Sequence, residues 1–395
     1  MINEKMYGLG DEPSAIRELF AYGMARKAEI GAENVFDFSI GNPSVPAPEL
    51  VRETMLELLD MDPVALHAYS PAAGLPEVKE AIAAYLSERY DTTATSGHLY
   101  LTAGAAAALA SSIAAVTHPG DEVVVVSPYF PEYRTWIEAA GCTIVEVPAA
   151  VPSFQPDIEA LRAAIGPKTS AVIINTPNNP VGAVYTRESL EALAAMLREE
   201  VLGRPLYLIS DEPYREITYG IEVPWVPSIY ARTIVCYSYS KALSLPGERI
   251  GWVYVSDAAD DGDAVAVAVA GAGRALGYVC APVLLQRVAA RCVGEPSDVA
   301  AYAENRRLLT EGLSALGYEY VEPDGAFYLW VRALEEDAQA FSDCAKEYEL
   351  LIVPSDSFGV GGWVRLSYCI ARDTIERSMP AFKALKESYE AKLSS

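Results

Sequence analysis

Two hydrophobic periods take turns along most of the chain. Short apolar runs rich in Val, Ile and Tyr are bounded by Gly, Pro, Asn or Asp, and between them apolar residues recur three or four apart. The first pattern predicts buried strands and the second amphipathic helices. From about residue 75 to 255 the order is strand and helix in alternation. A helix is expected from Glu77 to Glu88, then the strand Leu99–Thr102 and an Ala-rich helix opening at Gly104. Strands Val123–Val126, Thr143–Val147, Ala171–Asn175 and Leu206–Ile209 follow, with helices over Glu132–Ala140, Pro156–Ile165 and Arg187–Val201 between them. The run Thr233-Ile234-Val235-Cys236-Tyr237 is a further strand, and Trp252–Val255 another. Strands separated by helices predict an α/β fold with a mostly parallel sheet sandwiched by helices. The connection from Lys241 to Gly251 is too short for a helical crossover, so one antiparallel strand is expected there.

The flanks read differently. Residues 1 to about 45 form an arm, with a helix from Ser14 to Lys27 and a strand over Val35–Ile40 that ends in the turn Gly41-Asn42-Pro43. A helix from Glu49 to Leu59 leads into the α/β region. After about residue 285 come a long polar helix, Asp298–Leu316, read as a bridge, then strand Gly325–Val331 and helix Gln339–Glu349. Strands Leu351–Val353 and Trp363–Tyr368 and a last helix, Asp373–Leu393, complete the pattern. The expected division is a large domain over 46–285 and a smaller α+β domain built from 1–45 and 286–395. A chain of 395 residues exceeds the size at which a single core usually splits.

Composition narrows the function classes. A net charge of −24 argues against nucleic acid and anionic membrane as partners, since both need basic surfaces. Six cysteines are scattered without a CxxC, and Cys236 and Cys369 sit in apolar runs, which predicts reduced thiols in a cytoplasmic protein. The three histidines show no ligand spacing, so no metal site is expected. The first residues carry no signal-peptide core, and the longest uncharged run, about Leu99 to Gly120, is too rich in small and hydroxyl residues to make a good membrane span.

Candidate chemistry collects at the carboxyl ends of the strands, where open α/β sheets bind ligands. Thr102-Ala103-Gly104-Ala105-Ala106 opens a helix whose amides could cradle a phosphate. Ser127-Pro128-Tyr129-Phe130-Pro131-Glu132-Tyr133 supplies aromatics that could stack on a flat ring or pack in the core. Thr176-Pro177-Asn178-Asn179-Pro180 offers an amide, and Ser210-Asp211-Glu212-Pro213-Tyr214 an acid and a phenol. An acid ending a buried strand has a desolvation problem unless it meets a cation. Ser238-Tyr239-Ser240-Lys241 places an amine among small residues, with Arg249 eight positions on. That suits a lysine holding a carbonyl as a Schiff base beside an anion-binding arginine.

Together the motifs Asn-Asn-Pro-x-Gly (178–182), Asp-x-x-Tyr (211–214) and Ser-x-Ser-Lys with the later Arg249 resemble the class I/II aminotransferases of pyridoxal 5′-phosphate (PLP) fold type I, the aspartate-aminotransferase-like fold. The resemblance runs from about Ser39 to Tyr368. It implies that Lys241 forms the internal aldimine and moves a proton, and that Asp211 pairs with the ring nitrogen. Tyr214 and Asn179 would bond the ring 3-oxygen. Phe130 would stack on the ring, with Tyr129 as its rival. Gly104, Ala105, Ala106, Ser238 and Arg249 would hold the phosphate. Arg365, in Trp363-Val364-Arg365, would bind the substrate carboxylate as a bidentate pair, with Gly41 and Asn179 beside it. Tyr69 would reach the neighbouring subunit's phosphate, which implies a homodimer with shared active sites.

The implied activity is ping-pong transfer of an amino group between an L-amino acid and a 2-oxo acid. A carbon–sulfur β-lyase or a cyclopropane-forming synthase of the same fold uses the same residues, and both stay open. A non-catalytic PLP-sensing domain would carry a DNA-binding module that residues 1–40 are too short and too poor in basic residues to supply. Three points depart from a simple reading. Glu248 sits beside Arg249, where it could compete for that cation or face solvent. Ala103–Ala108 lacks a polar side chain after the cradle glycine. Arg274 could meet a second substrate carboxylate or be a solvated arginine, while Tyr7, Tyr278 and Phe327 could instead line an apolar side-chain pocket.

Overall fold

The computed structural model describes residues 2–11, 14–199 and 206–393. Its centre is a seven-stranded sheet. From one edge the order is Leu99–Thr102, Gly251–Val255, Thr233–Ser238, Tyr207–Asp211, Thr169–Asn175, Glu122–Ser127 and Thr143–Pro148. Gly251–Val255 runs antiparallel to both neighbours; every other pairing is parallel. The short turn after Lys241 allows only that direction.

Period-2 alternation explains why these strands carry almost no polar residues. Val123, Val125, Ala171 and Ile173 face one core with Ile113, Ile137 and Val269. Val124, Val126, Val172 and Ile174 face the opposite core with Leu190, Leu193 and Val226. Successive side chains point to opposite faces, so a strand with helices on both sides must be apolar throughout.

The C-terminal part adds an antiparallel sheet in the order Val353–Pro354, Trp363–Ser367, Tyr328–Arg332, Tyr320–Val321. The arm joins it: Phe36 and Asp37 pair in parallel with Leu350 and Leu351. The helix Val299–Ala315 turns Tyr302, Leu309 and Leu313 into the core beneath this sheet, beside Phe382 and Leu385 of the last helix.

Several expected elements shorten. Val35–Ile40 pairs only over Phe36–Asp37, because Ser39 turns its N–H and hydroxyl onto the Asp37 carboxylate. The expected strand from Gly325 begins at Tyr328, since Ala326 has a positive φ of 57°. The helix expected over Arg187–Val201 runs Arg187–Arg198, and its last two expected residues lie outside the described part. Helices Glu4–Asp11, Pro63–His67, Gly262–Ala275 and Val283–Arg291 were not expected. No described helix is long and apolar enough to cross a membrane.

Candidate active site

A cleft of about 520 Å³ opens at the carboxyl ends of the central strands. Asn175, Asp211 and Ser238 reach it from three adjacent parallel strands. Ala105 and Ala106 enter from the first turn of the Ala105–Val116 helix, and Tyr328 and Arg365 from the C-terminal sheet. Ile16, Arg17, Ile40 and Gly41 of the arm close its side.

Lys241 sits in the one-turn helix Tyr239–Ala242. Ser238 caps that turn by accepting from the Ser240 N–H at 3.1 Å, which fixes where the lysine leaves the strand end. The Lys241 Nζ donates to the Gly41 carbonyl at 2.5 Å. Desolvation lowers its pKa to about 8, with Arg365 and Arg249 adding repulsion and Cys369 opposing. An amine in that range is available as a base near neutral pH. Gly41 has to be glycine: a Cβ there would fall 2.0 Å from the Tyr328 hydroxyl.

Asp211 is buried at its strand end. Tyr133 donates to Oδ2 at 2.5 Å, while Oδ1 has no partner among the described residues. Desolvation pushes the carboxyl up to about 7; the Tyr133 bond pulls it down and Glu212 raises it further. A buried carboxylate short of partners is a site for a cation. Asn175 braces the same strand end. Its amide donates to the Asp211 carbonyl at 2.8 Å and its carbonyl accepts from the Asn179 N–H at 2.6 Å.

Asn179 accepts at its side-chain oxygen from Arg365 Nη1 at 3.1 Å, and Arg365 Nη2 donates to the Ser39 carbonyl at 2.5 Å. Arg365 is buried among the rings of Tyr328 and Phe358, with their centroids 4.6 and 5.3 Å away. Among the described residues no carboxylate pairs with it and its Nε has no partner, and burial presses its pKa down. Tyr214 lies 3.0 Å from Tyr328, hydroxyl to hydroxyl, and burial raises its pKa well above the ordinary phenol value.

The phosphate-sized end holds Arg249, whose φ of 52° is unusual for a residue other than glycine. Its guanidinium donates to the Pro246 carbonyl at 2.9 Å and lies 3.4 Å from the Ser240 hydroxyl. Ser238 and Ser240 share a 2.7 Å hydrogen bond. Gly104, at φ 80°, lets this guanidinium approach; a Cβ there would sit 2.6 Å from Nη2. The first amides of the following helix have no intrahelical acceptor, as at any helix start.

The aromatic pair divides. Phe130 lines the cleft, whereas Tyr129 is buried elsewhere with its hydroxyl 3.0 Å from Glu146. Tyr69 does not reach the cleft of its own chain; it is 95% exposed. Glu248 is exposed and forms no ion pair with Arg249 among the described residues. Arg274 is exposed on the Gly262–Ala275 helix, and neither it nor Tyr7, Tyr278 or Phe327 lines this cleft. Sequence reasoning missed Tyr133, Asn175, Ser240, Tyr328 and Trp136. Tyr133, Asn175 and Ser240 carried a signal, since all three lie in or beside strand-end motifs already singled out.

A family model for aminotransferase class I and II matches residues 33–382. The chain belongs to that family. A solved aminotransferase structure from Eubacterium rectale superposes with a TM-score of 0.96 at 52% identity, covering 98% of this chain and 99% of that one. The chain is 33% identical to the aspartate/prephenate aminotransferase of Thermus thermophilus, over 87% of this chain and 88% of the relative. It is 31% identical to the aspartate aminotransferase of Thermotoga maritima, over 90% and 91%. The fold is therefore PLP fold type I, and the chain is a PLP-dependent aminotransferase. The β-lyase alternative is not favoured.

The aminotransferase's own residues fit PLP. Asp211 Oδ1 is a buried acceptor lacking the donor that a protonated ring nitrogen would provide. Gly104, Arg249 and the Ser238–Ser240 hydroxyl pair make a cradle for an anion. Lys241 is the one lysine lining the cleft among the described residues.

Proposed function

We propose that this aminotransferase transfers the amino group of an L-amino acid to a 2-oxo acid with Lys241, Asp211 and Tyr214 as its catalytic residues. The observation that carries the reading is geometric: one cleft holds the Lys241 amine and a buried Asp211 carboxylate with an unpaired oxygen. Bound PLP supplies an electron sink for the charge left when the substrate Cα proton departs. Lys241, as a neutral amine, would take that proton and hold it for return. Asp211 keeps a proton on the ring nitrogen and gains the cation its burial lacks. Tyr214 and Asn179 hold the ring oxygen, and Phe130 covers one face of the ring. Arg249, Ser238, Ala105 and Ala106 hold the phosphate, with Gly104 giving the clearance for close approach. Arg365 takes the α-carboxylate, with Gly41 leaving room beside it.

The protein acts as a homodimer in the cytoplasm, and Tyr69 enters the partner's site. The exposure of Tyr69, Val64, Tyr278 and Val279 supports the dimer, and six unpaired cysteines support a reducing compartment. The domain division at about residues 45 and 285 is supported by the pairing of the arm with the C-terminal strands. Aspartate is the donor to test first, because relatives carry its name. The purified holoenzyme, mixed with L-aspartate and no acceptor, should convert its bound chromophore once per site and release one 2-oxo acid per site. Continuous release of ammonia without acceptor would instead indicate a lyase. Light scattering checks the dimer, and a monomeric mass with full activity would refute the shared site.

A further inference from the structure

Tyr328 lines the cleft but has no part in the function proposed above. It opens the strand Tyr328–Arg332, which pairs antiparallel with Trp363–Ser367. Tyr328 stands opposite Ser367, so Arg365, two residues along the partner strand, is its diagonal neighbour on the same face. The Arg365 guanidinium lies over the Tyr328 ring, 4.6 Å from its centroid. The Tyr328 hydroxyl lies 3.0 Å from that of Tyr214. The two rings meet edge to face at 5.7 Å, and Phe327 packs against both, which holds the hydroxyls together. Gly41 leaves the Tyr328 hydroxyl its room, since a Cβ there would fall on it.

Only one of the two hydroxyl protons can lie between these oxygens, and by distance alone either residue could donate it. Neither hydroxyl has another hydrogen-bond partner among the described residues. If Tyr214 donates to Tyr328, its one proton is used inside the chain. If Tyr328 donates, Tyr214 keeps its proton for a ligand. The cation over its ring decides between them, because it draws electron density from the Tyr328 phenol. Burial raises the pKa of both phenols; Arg365 opposes it at Tyr328, which ends at about 12, while Tyr328 raises Tyr214 further. Tyr328 is thus the more acidic phenol and the better donor.

We propose that Tyr328 is a positioning residue: its hydroxyl donates to Tyr214, so that Tyr214 aims its own proton at the ring oxygen of bound PLP. The strand pair that carries Arg365 thereby also sets the direction of a hydrogen bond in the cofactor site. This inference rests on the aminotransferase reading and on the place it gives Tyr214.

The test is an absorbance pH titration of Tyr328→Phe, Tyr214→Phe and doubly substituted holoenzymes beside the unaltered one. Tyr328→Phe removes one oxygen and keeps the ring beneath Arg365. A donor on the ring oxygen holds electron density that the chromophore would otherwise use to bind its proton, so a weaker donor raises the pH at which the chromophore titrates. Tyr328→Phe should raise that midpoint by a few tenths of a unit to about one unit, the worth of one hydrogen bond acting through another. In the Tyr214→Phe background the same substitution should leave the midpoint unmoved. A midpoint that falls in Tyr328→Phe would mean that Tyr214 donates to Tyr328, and one that stays would mean that Tyr328 only packs. Either result overturns the proposal, as does an equal shift with and without the Tyr214 hydroxyl. If the unaltered protein forms no PLP chromophore, the underlying function fails and the proposal with it.

Discussion

Two neighbouring acids end the same strand and meet opposite fates. Asp211 is 4% exposed and Glu212 is fully buried. Glu212 accepts from the Ser210 hydroxyl at 2.6 Å and from Arg215 Nε at 2.5 Å. Arg215 in turn donates to the Val223 and Pro224 carbonyls, each at 3.0 Å, and lies over Tyr90 and Trp225. Every charge in that cluster has its partner inside the chain. Asp211 has one donor, Tyr133, and one bare oxygen. The fold completes the acid that faces away from the cleft and leaves incomplete the one that faces it. A satisfied buried pair is architecture; an unsatisfied one at a strand end is a request for a ligand.

Substitutions can separate the two. Asp211→Asn should lower kcat/KM by roughly 10³-fold, about 4 kcal/mol of barrier, while the apo fold stays intact. The same loss with Glu212→Gln would erase the distinction. Arg215→Met, which strands Glu212, should instead cost about 3–5 kcal/mol of stability in urea unfolding. The fraction that remains folded should keep kcat within a few-fold. A stable Arg215→Met protein would show that the cluster is not architectural.

The pH response sharpens the contrast. The folded pKa of Asp211, about 7, is raised above its ordinary 3.8. The apo protein binds a proton there that the unfolded chain releases between those values. Stability from this group is therefore present below pH 4 and lost as pH rises to about 7, on the order of 4 kcal/mol in all. Asp211→Asn should abolish that part of the fall when unfolding is compared at pH 5 and pH 8. An identical fall in the variant would mean the carboxyl is not the group that titrates. The smallest effect should come from Tyr133→Phe. Losing its one donor, Asp211 should titrate higher still, and the apo protein should lose about 1 kcal/mol with activity reduced only several-fold.

Much of this was legible in the residues. Strands of four to seven residues with β-branched runs are visible because both sheet faces are buried, and strand ends are where Lys241, Asp211 and Asn179 were sought. What escaped were roles that depend on long-range contacts. Tyr133 stands in the aromatic strand-end motif, but nothing nearby distinguishes it, the donor to Asp211, from Tyr129, which packs on Glu146. The Gly262–Ala275 helix is Ala, Gly and Val with little polar face, so its period is faint. The choice between Asp211 and Glu212 as the unpaired acid depends on Arg215 folding back onto Glu212, a contact the pattern alone does not reveal. The arm's approach to the cleft is a long-range fact of the same kind, and Arg17 was invisible without it.

The most direct measurement is covalent capture. Holoenzyme reduced with borohydride and digested should carry the PLP mass on the Lys241 peptide alone, and Lys241→Ala should carry none. Label on any other lysine, or undiminished label in the variant, would contradict the account.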